Sequence, residues 1–339
     1  MKKKVLLTGI SGYIGNHCAV ELLKNGYSVR GSVRNLNKSE NVIRAISKEI
    51  DPEGNLEFCE LDLLKDNGWD EAMEGCEYVL HVASPFINIE PKDESIYIKP
   101  AVDGTQRALR AAKKAGVKRI VITSSIVAML ENADKSITVN ENSWTNVNAK
   151  NVSAYAKSKT LAEKSAWDFI ENQNSDSPME LTVINPGPVF GPTLSGNLEG
   201  ASMGMFKQMI LGKVPMVPKA AINMSDVRDV AKIHVLALEN KEASGKRFIV
   251  TTENPYAFQE MAQILKSNGF TKVSTKLAPN FLLNFLGNFD REARSMRAFI
   301  GRTYNGDISS TMKTFNWKPI NFEKTVLETA KSVSESIKE

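Results

Sequence analysis

The stretch Thr8-Gly9-Ile10-Ser11-Gly12-Tyr13-Ile14-Gly15 constrains the fold more than any other part of the chain. It follows the apolar run Val5–Leu7 and opens a helical pattern over 13–25. Glycines at 9, 12 and 15 permit a tight turn and let backbone N–H groups approach a pyrophosphate, where a helix N-terminus adds partial positive charge. Ile14 is expected to pack beneath the turn. A glycine triplet alone is a weak signal; between a strand and a helix it is a strong one.

The next hundred residues repeat that alternation. Val5–Thr8, Ser28–Val33, Leu56–Glu60, Tyr78–Val82 and Arg119–Thr123 read as buried strands, with amphipathic stretches near 13–25, 38–49, 67–74 and 94–115 between them. A long helix over 153–172 precedes a strand at Leu181–Ile184. The expected class is α/β, a doubly wound parallel (Rossmann) sheet with a smaller C-terminal α/β substrate region. Asn185-Pro186-Gly187-Pro188 and Gly191-Pro192 are expected to break regular structure. Residues 1–185 are therefore assigned to the dinucleotide-binding domain. Residues 186–339 are assigned mainly to a substrate domain, with an apolar run at Phe248–Thr251, a helix near 322–336 and some segments returning to the first sheet.

Composition narrows the function classes. The 339 residues are 42% hydrophobic and 24% charged, which excludes wholesale disorder. A net charge of +4, dispersed along the chain, argues against nucleic acid. The basic run Lys2–Lys4 is expected to be a solvated end, and Val5–Leu7 is too short for a secretory apolar region. No stretch approaches the roughly 18 to 20 apolar residues of a membrane span. Cys18, Cys59 and Cys76 lack metal or disulfide spacing and suit a reducing, cytoplasmic setting.

The end of the second strand reads Gly31-Ser32-Val33-Arg34, with Lys38 four residues on. A carboxylate there would accept from a ribose 2′-hydroxyl, whereas Arg34 and Lys38 can pair with a 2′-phosphate, so NADP(H) is the expected cofactor. Asp62, closing the third strand, can take the adenine amino group or cap the next helix. Val82 and Ala83 end the fourth strand, and small Ala83 lets a cofactor lie close. His81 is expected to be structural. Thr123, Ser124 and Ser125 end the fifth strand at the carboxyl edge, where ligands bind in such sheets.

Tyr155 and Lys159, four apart in a helical pattern, share a face. Carbonyl reduction leaves an alkoxide that needs a proton. Tyr155 can donate it, Lys159 can lower the phenol's pKa and hold the nicotinamide ribose, and a hydroxyl at 124–125 can hold the carbonyl oxygen.

With these residues in place, the chain resembles the extended short-chain dehydrogenase/reductases. Within them it is most similar to the branch of dihydroflavonol reductases, cinnamoyl-CoA reductases and yeast-type methylglyoxal/aldehyde reductases. The resemblance is carried by TGISGYIG (8–15), GSVRNLNKSENV (31–42), VLHVASPF (79–86), NENSW (140–144), SAYAKSKTLAEKSAW (153–167), NPGPVFGP (185–192) and SDVRDVAKIHVLALE (225–239). It implies that Ser125, Tyr155 and Lys159 are the catalytic triad. It also implies that Gly9, Ile10, Ser11, Gly12, Tyr13, Ile14 and Gly15 hold the pyrophosphate, and that Arg34 and Lys38 bind the 2′-phosphate. Asp62 and Leu63 fall beside the adenine, Pro186 and Val189 beside the nicotinamide, and Val82, Ala83 and Thr123 on the cofactor side. His234 falls in a helix tying the two regions.

The resemblance implies an NADPH-dependent reductase of aldehydes or ketones, monomeric or homodimeric, without metal, nucleic-acid or membrane partners. Leu130 stands where plant dihydroflavonol reductases carry an asparagine, and the segment between Trp144 and Tyr155 is shorter. Both favour a smaller or more apolar carbonyl. Met203, Met205, Met209, Met216 and Met224 could line an adaptable pocket or fill the core. Phe281–Leu286 could be core or a pocket roof. The rivals are an NAD-linked sugar-nucleotide epimerase or dehydratase and a non-enzymatic nucleotide sensor. Ile126, Val127 and Ala128 after Ser125, where dehydratases place Asp-Glu, weigh against the first. The Tyr/Lys pair weighs against the second.

Overall fold

The computed structural model describes residues 2–84, 93–130, 136–149, 152–174, 177–281 and 301–338. Pro85 and Phe86, and residues 282–286 of the apolar segment expected near the pocket, lie outside them.

The chain opens with β1 (Lys4–Thr8), α1 (Tyr13–Lys24), β2 (Ser28–Val33), α2 (Ser39–Ile46), β3 (Leu56–Glu60), α3 (Trp69–Met73), β4 (Tyr78–His81), α4 (Ser95–Lys114) and β5 (Arg119–Thr123). Next come β6 (Ile137–Val139), α5 (Ala154–Glu171), β7 (Glu180–Pro186), β8 (Val189–Phe190), α6 (Ala201–Ile210), β9 (Val217–Pro218), β10 (Ala221–Ile222), β11 (Ser225–Asp226) and α7 (Val227–Leu236). The remainder holds β12 (Lys246–Val250), β13 (Tyr256–Ala257), α8 (Phe258–Ser267), β14 (Leu277–Ala278), β15 (Thr303–Gly306) and helices Ser309–Phe315 and Phe322–Lys338.

Seven strands form one sheet in the order β12-β7-β5-β4-β1-β2-β3, every neighbouring pair parallel. A parallel sheet needs cover on both faces, and the inner strands show it: all of β4 and β5 is buried. Alternation along β1 sends Val5 and Leu7 into one apolar layer and Leu6 into the other. The chain reverses direction across the sheet between β1 and β4, and this switch point opens a crevice beyond the strands' carboxyl ends. The smaller sheets are β13-β10-β15-β6, β8-β11 and β9-β14, and Val189 of β8, Ile222 of β10 and Tyr304 of β15 line that crevice.

Three local expectations change. Lys4 is the first residue of β1 and bonds Glu57, so only the start of the basic run is outside the sheet. The fourth strand stops at His81, because its partner β1 ends at Thr8 and the next ladder bond is replaced by Ala83 N donating to the Thr8 hydroxyl at 3.1 Å. The seventh strand runs through Asn185 and Pro186. Pairing with β5 ends at Ile184, while β12 continues alongside to Val250, so the proline's missing N–H falls where no β5 acceptor remains.

Candidate active site

The glycine turn is built so that side chains cannot enter it. Gly12 N donates to Gly9 O at 2.9 Å, closing the turn. Gly9 has φ +71, and a Cβ on it would lie 2.9 Å from the Ala83 Cα. A Cβ on Gly15 would lie 2.1 Å from Gly9 O. The backbone of β1, β4 and α1 therefore meets at van der Waals distance, leaving the first turn of α1 facing the crevice without a side-chain cap. Ile10 is fully buried under Gly31; Ile14, half-buried, packs against the same apolar layer and also lines the crevice with Gly9, Ser11, Gly12, Tyr13 and Gly15. The second residue after the strand still points into the sheet's apolar layer, which the glycine count could not show.

The crevice has a volume of about 2310 Å³ and runs from Arg34 and Lys38, past the glycine turn, to Tyr155 and Met203. Arg34 and Lys38 are exposed at the end of β2, beside Asn41 and Arg44 of α2, and no carboxylate ends that strand. Across from them, Asp62 accepts from Leu64 N at 2.9 Å, so it closes a turn of its own, and α3 starts well beyond it. Leu63 lines the wall against Gly104. A cradle closed to any Cβ, an uncapped helix N-terminus and two cations at the distal end fit a dinucleotide phosphate.

At the other end β5 delivers three hydroxyls, and each has a different partner. The Thr123 hydroxyl lies 2.7 Å from His234 Nε2. His234 Nδ1 lies 2.7 Å from the Val230 carbonyl, which can only accept. Nδ1 therefore carries the proton and Nε2 accepts from Thr123. Burial keeps this imidazole neutral, lowering its pKa to about 4. Ser124 donates to Glu163 Oε2 at 2.5 Å, deep in the fold. Ser125 caps the short turn Ile126–Ala128 and is hydrogen-bonded to the Tyr155 hydroxyl. Tyr155 sits in the first turn of α5, whose start Ser153 caps by accepting from Ala156 N at 3.1 Å. Lys159 Nζ donates to the Thr123 carbonyl at 3.2 Å.

The electrostatics differ from the sequence expectation. Burial raises the Tyr155 phenol above its ordinary value, the Ser125 bond opposes this and Tyr97, with its ring centroid 6.4 Å away, adds to it. Burial also lowers the Lys159 ammonium to about 8, partly offset by Glu163. Desolvation dominates at Tyr155, so the phenol is held protonated instead of being made more acidic. His81 is structural, with Nδ1 3.0 Å from the Thr8 hydroxyl.

Pro186 and Val189 line the crevice with Ser125, as do Val82, Ala83, Thr123 and Leu130. Met203 and Met205 line it too; Met203 also belongs to the core, as Met209 and Met224 do, and Met205 packs against it, so core filling and pocket lining overlap in this segment. Several roles were not foreseen. Tyr13 donates to the Gly191 carbonyl at 2.9 Å and His17 Nε2 lies 2.9 Å from the Pro192 carbonyl, tying the glycine-turn helix to the segment after β8. Glu163, Asn185 and Arg247 form a buried polar group behind the serines. Of these, Glu163 was visible as the next same-face position after Tyr155 and Lys159.

The sequence pattern described as the NAD dependent epimerase/dehydratase family matches residues 5–251. Cinnamoyl-CoA reductase CAD2 of Medicago truncatula is 34% identical over 268 residues, covering 77% of this chain and 79% of that protein. NADPH-dependent methylglyoxal reductase GRE2 of Saccharomyces cerevisiae is 34% identical over 284 residues, 78% of this chain and 82% of the relative. Among solved structures, Gre2 from Candida albicans in complex with NADPH superposes with a TM-score of 0.80 at 26% identity, covering 98% of this chain and 99% of the other.

Proposed function

The chain belongs to the NAD dependent epimerase/dehydratase family of extended short-chain dehydrogenase/reductases, and on that premise we propose that it is an NADPH-dependent reductase of small or apolar aldehydes and ketones. The observation that carries the proposal is the hydrogen bond between Ser125 and Tyr155 at the inner end of the crevice, with Lys159 one turn further on the same helix face.

The dihydronicotinamide, when bound, supplies the hydride that adds to the carbonyl carbon. The residues of the chain do the rest. Arg34 and Lys38 take the 2′-phosphate and the glycine turn takes the pyrophosphate, with Asp62 and Leu63 beside the adenine and Pro186 and Val189 beside the nicotinamide. Ser125 donates to the carbonyl oxygen. Tyr155, kept protonated by burial, gives its proton to that oxygen as charge develops, and the Lys159 ammonium offsets the phenolate left behind. Hydride on carbon and proton on oxygen complete the alcohol.

Leu130, Met203, Met205, Phe258 and Tyr304 line the crevice, supporting a compact or apolar substrate. The dehydratase alternative needs a free acid beside the reacting hydroxyl. Glu163, a buried carboxylate on the helix of Tyr155, is already paired with Arg247. Residues 1–185 would thus carry the cofactor and triad, and the later segments chiefly the substrate wall. The test is a carbonyl panel (methylglyoxal, aliphatic and aromatic aldehydes, diketones, a dihydroflavonol) read as consumption of NADPH against NADH. Turnover of small aldehydes with NADPH supports the reading. Tight binding without turnover, or tightly held NAD with no NADPH oxidation, contradicts it.

A further inference from the structure

We propose that Glu163 is a positioning residue for the reaction at Ser125 and Tyr155, its buried carboxylate locking the Ser124–Ser125 strand end to the helix that carries Tyr155 and Lys159. This rests on the reading of that centre as a carbonyl reductase.

Tyr155, Lys159 and Glu163 succeed one another at four-residue intervals and form one stripe along α5. The Glu163 side chain is 1% exposed. One oxygen, Oε2, accepts from Ser124 Oγ at 2.5 Å and from Asn185 Nδ2 at 2.9 Å. Asn185 also donates to the Ser125 carbonyl at 3.2 Å, so the amide spans the carboxylate and the backbone of the reacting serine. The other oxygen, Oε1, accepts from Arg247 Nε at 2.5 Å and from Trp167 Nε1 at 3.4 Å. A single carboxylate thus binds α5 to the end of β5, to β7 and to β12.

Arg247 is fixed in turn by the 140–144 segment. Its guanidinium lies 3.7 Å from the Trp144 ring centroid, and Nη1 donates to the carbonyls of Glu141 at 2.9 Å and Ser143 at 2.6 Å. The Asn140-Glu141-Asn142-Ser143-Trp144 stretch, which had no role in the sequence, is the outer clamp of this network.

The geometry carries an electrostatic consequence. Burial drives Lys159 towards its neutral amine, and the Glu163 charge opposes that. The other groups facing Lys159 are the Thr123 carbonyl from β5, His81 from β4 and, through Thr123, His234 from α7; both imidazoles are neutral. On α5 itself Tyr155 is protonated, with Tyr97 of α4 against it. Glu163 is then the fixed anion that keeps the ammonium available.

The test compares Glu163→Gln, Glu163→Asp and the pair Glu163→Gln/Arg247→Met, which removes both buried charges together so that neither is stranded. NADPH affinity is measured by fluorescence, kcat and KM separately across pH, and the Lys159 Nζ titration by NMR of apo-protein with 15N-labelled lysine. The expected result for the pair is NADPH affinity within about twofold of wild type, kcat lower by about tenfold to a hundredfold, and an alkaline limb at lower pH. Glu163→Asp recovers part of kcat. A paired variant with kcat within twofold and an unmoved alkaline limb overturns the proposal, as does Glu163→Asp being as impaired as Glu163→Gln. If wild-type protein reduces no carbonyl, the functional reading fails, and the Lys159 titration alone decides this proposal: a midpoint moved to lower pH in the paired variant supports it and an unmoved one rejects it.

Discussion

Ser124 Oγ lies 2.5 Å from Glu163 Oε2, whereas its neighbour Ser125 bonds the Tyr155 hydroxyl. Two adjacent hydroxyls at one strand end are thus divided between structure and chemistry. Ser125→Ala is expected to lower kcat by about a hundredfold or more while leaving NADPH affinity unchanged, since it removes a donor to the developing oxyanion. Ser124→Ala is expected to cost about 1.5–3 kcal/mol of stability, because a buried carboxylate loses a donor. Urea denaturation and steady-state kinetics on both variants check the division; equal effects of the two on kcat would contradict it.

Arg34 and Lys38 stand exposed at the end of β2, so their contribution to cofactor choice is chiefly electrostatic and screened by salt. Arg34→Ala should weaken NADPH by about tenfold or more and leave NADH nearly unchanged. The preference for NADPH over NADH should also narrow as ionic strength rises. Binding titrations with both nucleotides at low and high salt test this, and equal weakening of both nucleotides rejects the phosphate role.

All three histidines are buried, and burial lowers the pKa of His17, His81 and His234 from 6.5 to about 4. In that window the unfolded chain binds more protons than the folded one, so stability falls as pH drops from about 6.5 towards 4. Asp229 acts oppositely: burial raises it from 3.8 to about 6, so it gains protons on folding and offsets about one histidine. The expected net loss is a few kcal/mol, read as a falling urea midpoint. A midpoint that stays flat or rises on acidification contradicts the neutral assignment.

On the alkaline side, activity and stability should part. Lys159 falls from 10.5 to about 8, so the folded state binds fewer protons than the unfolded between pH 8 and 10, and this group makes stability rise with pH there. The same deprotonation removes the ammonium beside Tyr155, so kcat should fall above pH 8. A pH profile of kcat alongside the urea midpoint tests the pairing. A kcat that holds level to pH 10 would contradict it.

The sequence makes legible whatever depends on short-range spacing. The glycine turn, the β5 strand end and the Tyr155–Lys159 face follow from positions a few residues apart, and β2, β3 and β5 begin and end where their apolar runs do. What stays hidden depends on contacts between distant segments. Nothing near Thr123 announces that its hydroxyl belongs to His234, and nothing near Tyr13 announces its bond to Gly191. The direction of the Tyr155 shift is hidden for the same reason. Lys159 is close in sequence, but the burial that raises the phenol comes from the packed assembly. Asp62 shows the limit of residue type: a carboxylate at a strand end reads equally as ligand or cap, and only the bond to Leu64 shows that it closes a turn.

The most direct test of the account is NADPH oxidation with a short aldehyde by wild-type protein and by Tyr155→Phe, with cofactor binding measured on both. The account predicts alcohol formed mole for mole with NADPH consumed by wild type, a variant retaining about 1% of kcat or less, and NADPH affinity essentially unchanged. A variant with near-wild-type kcat would contradict the assignment of Tyr155 as the proton donor.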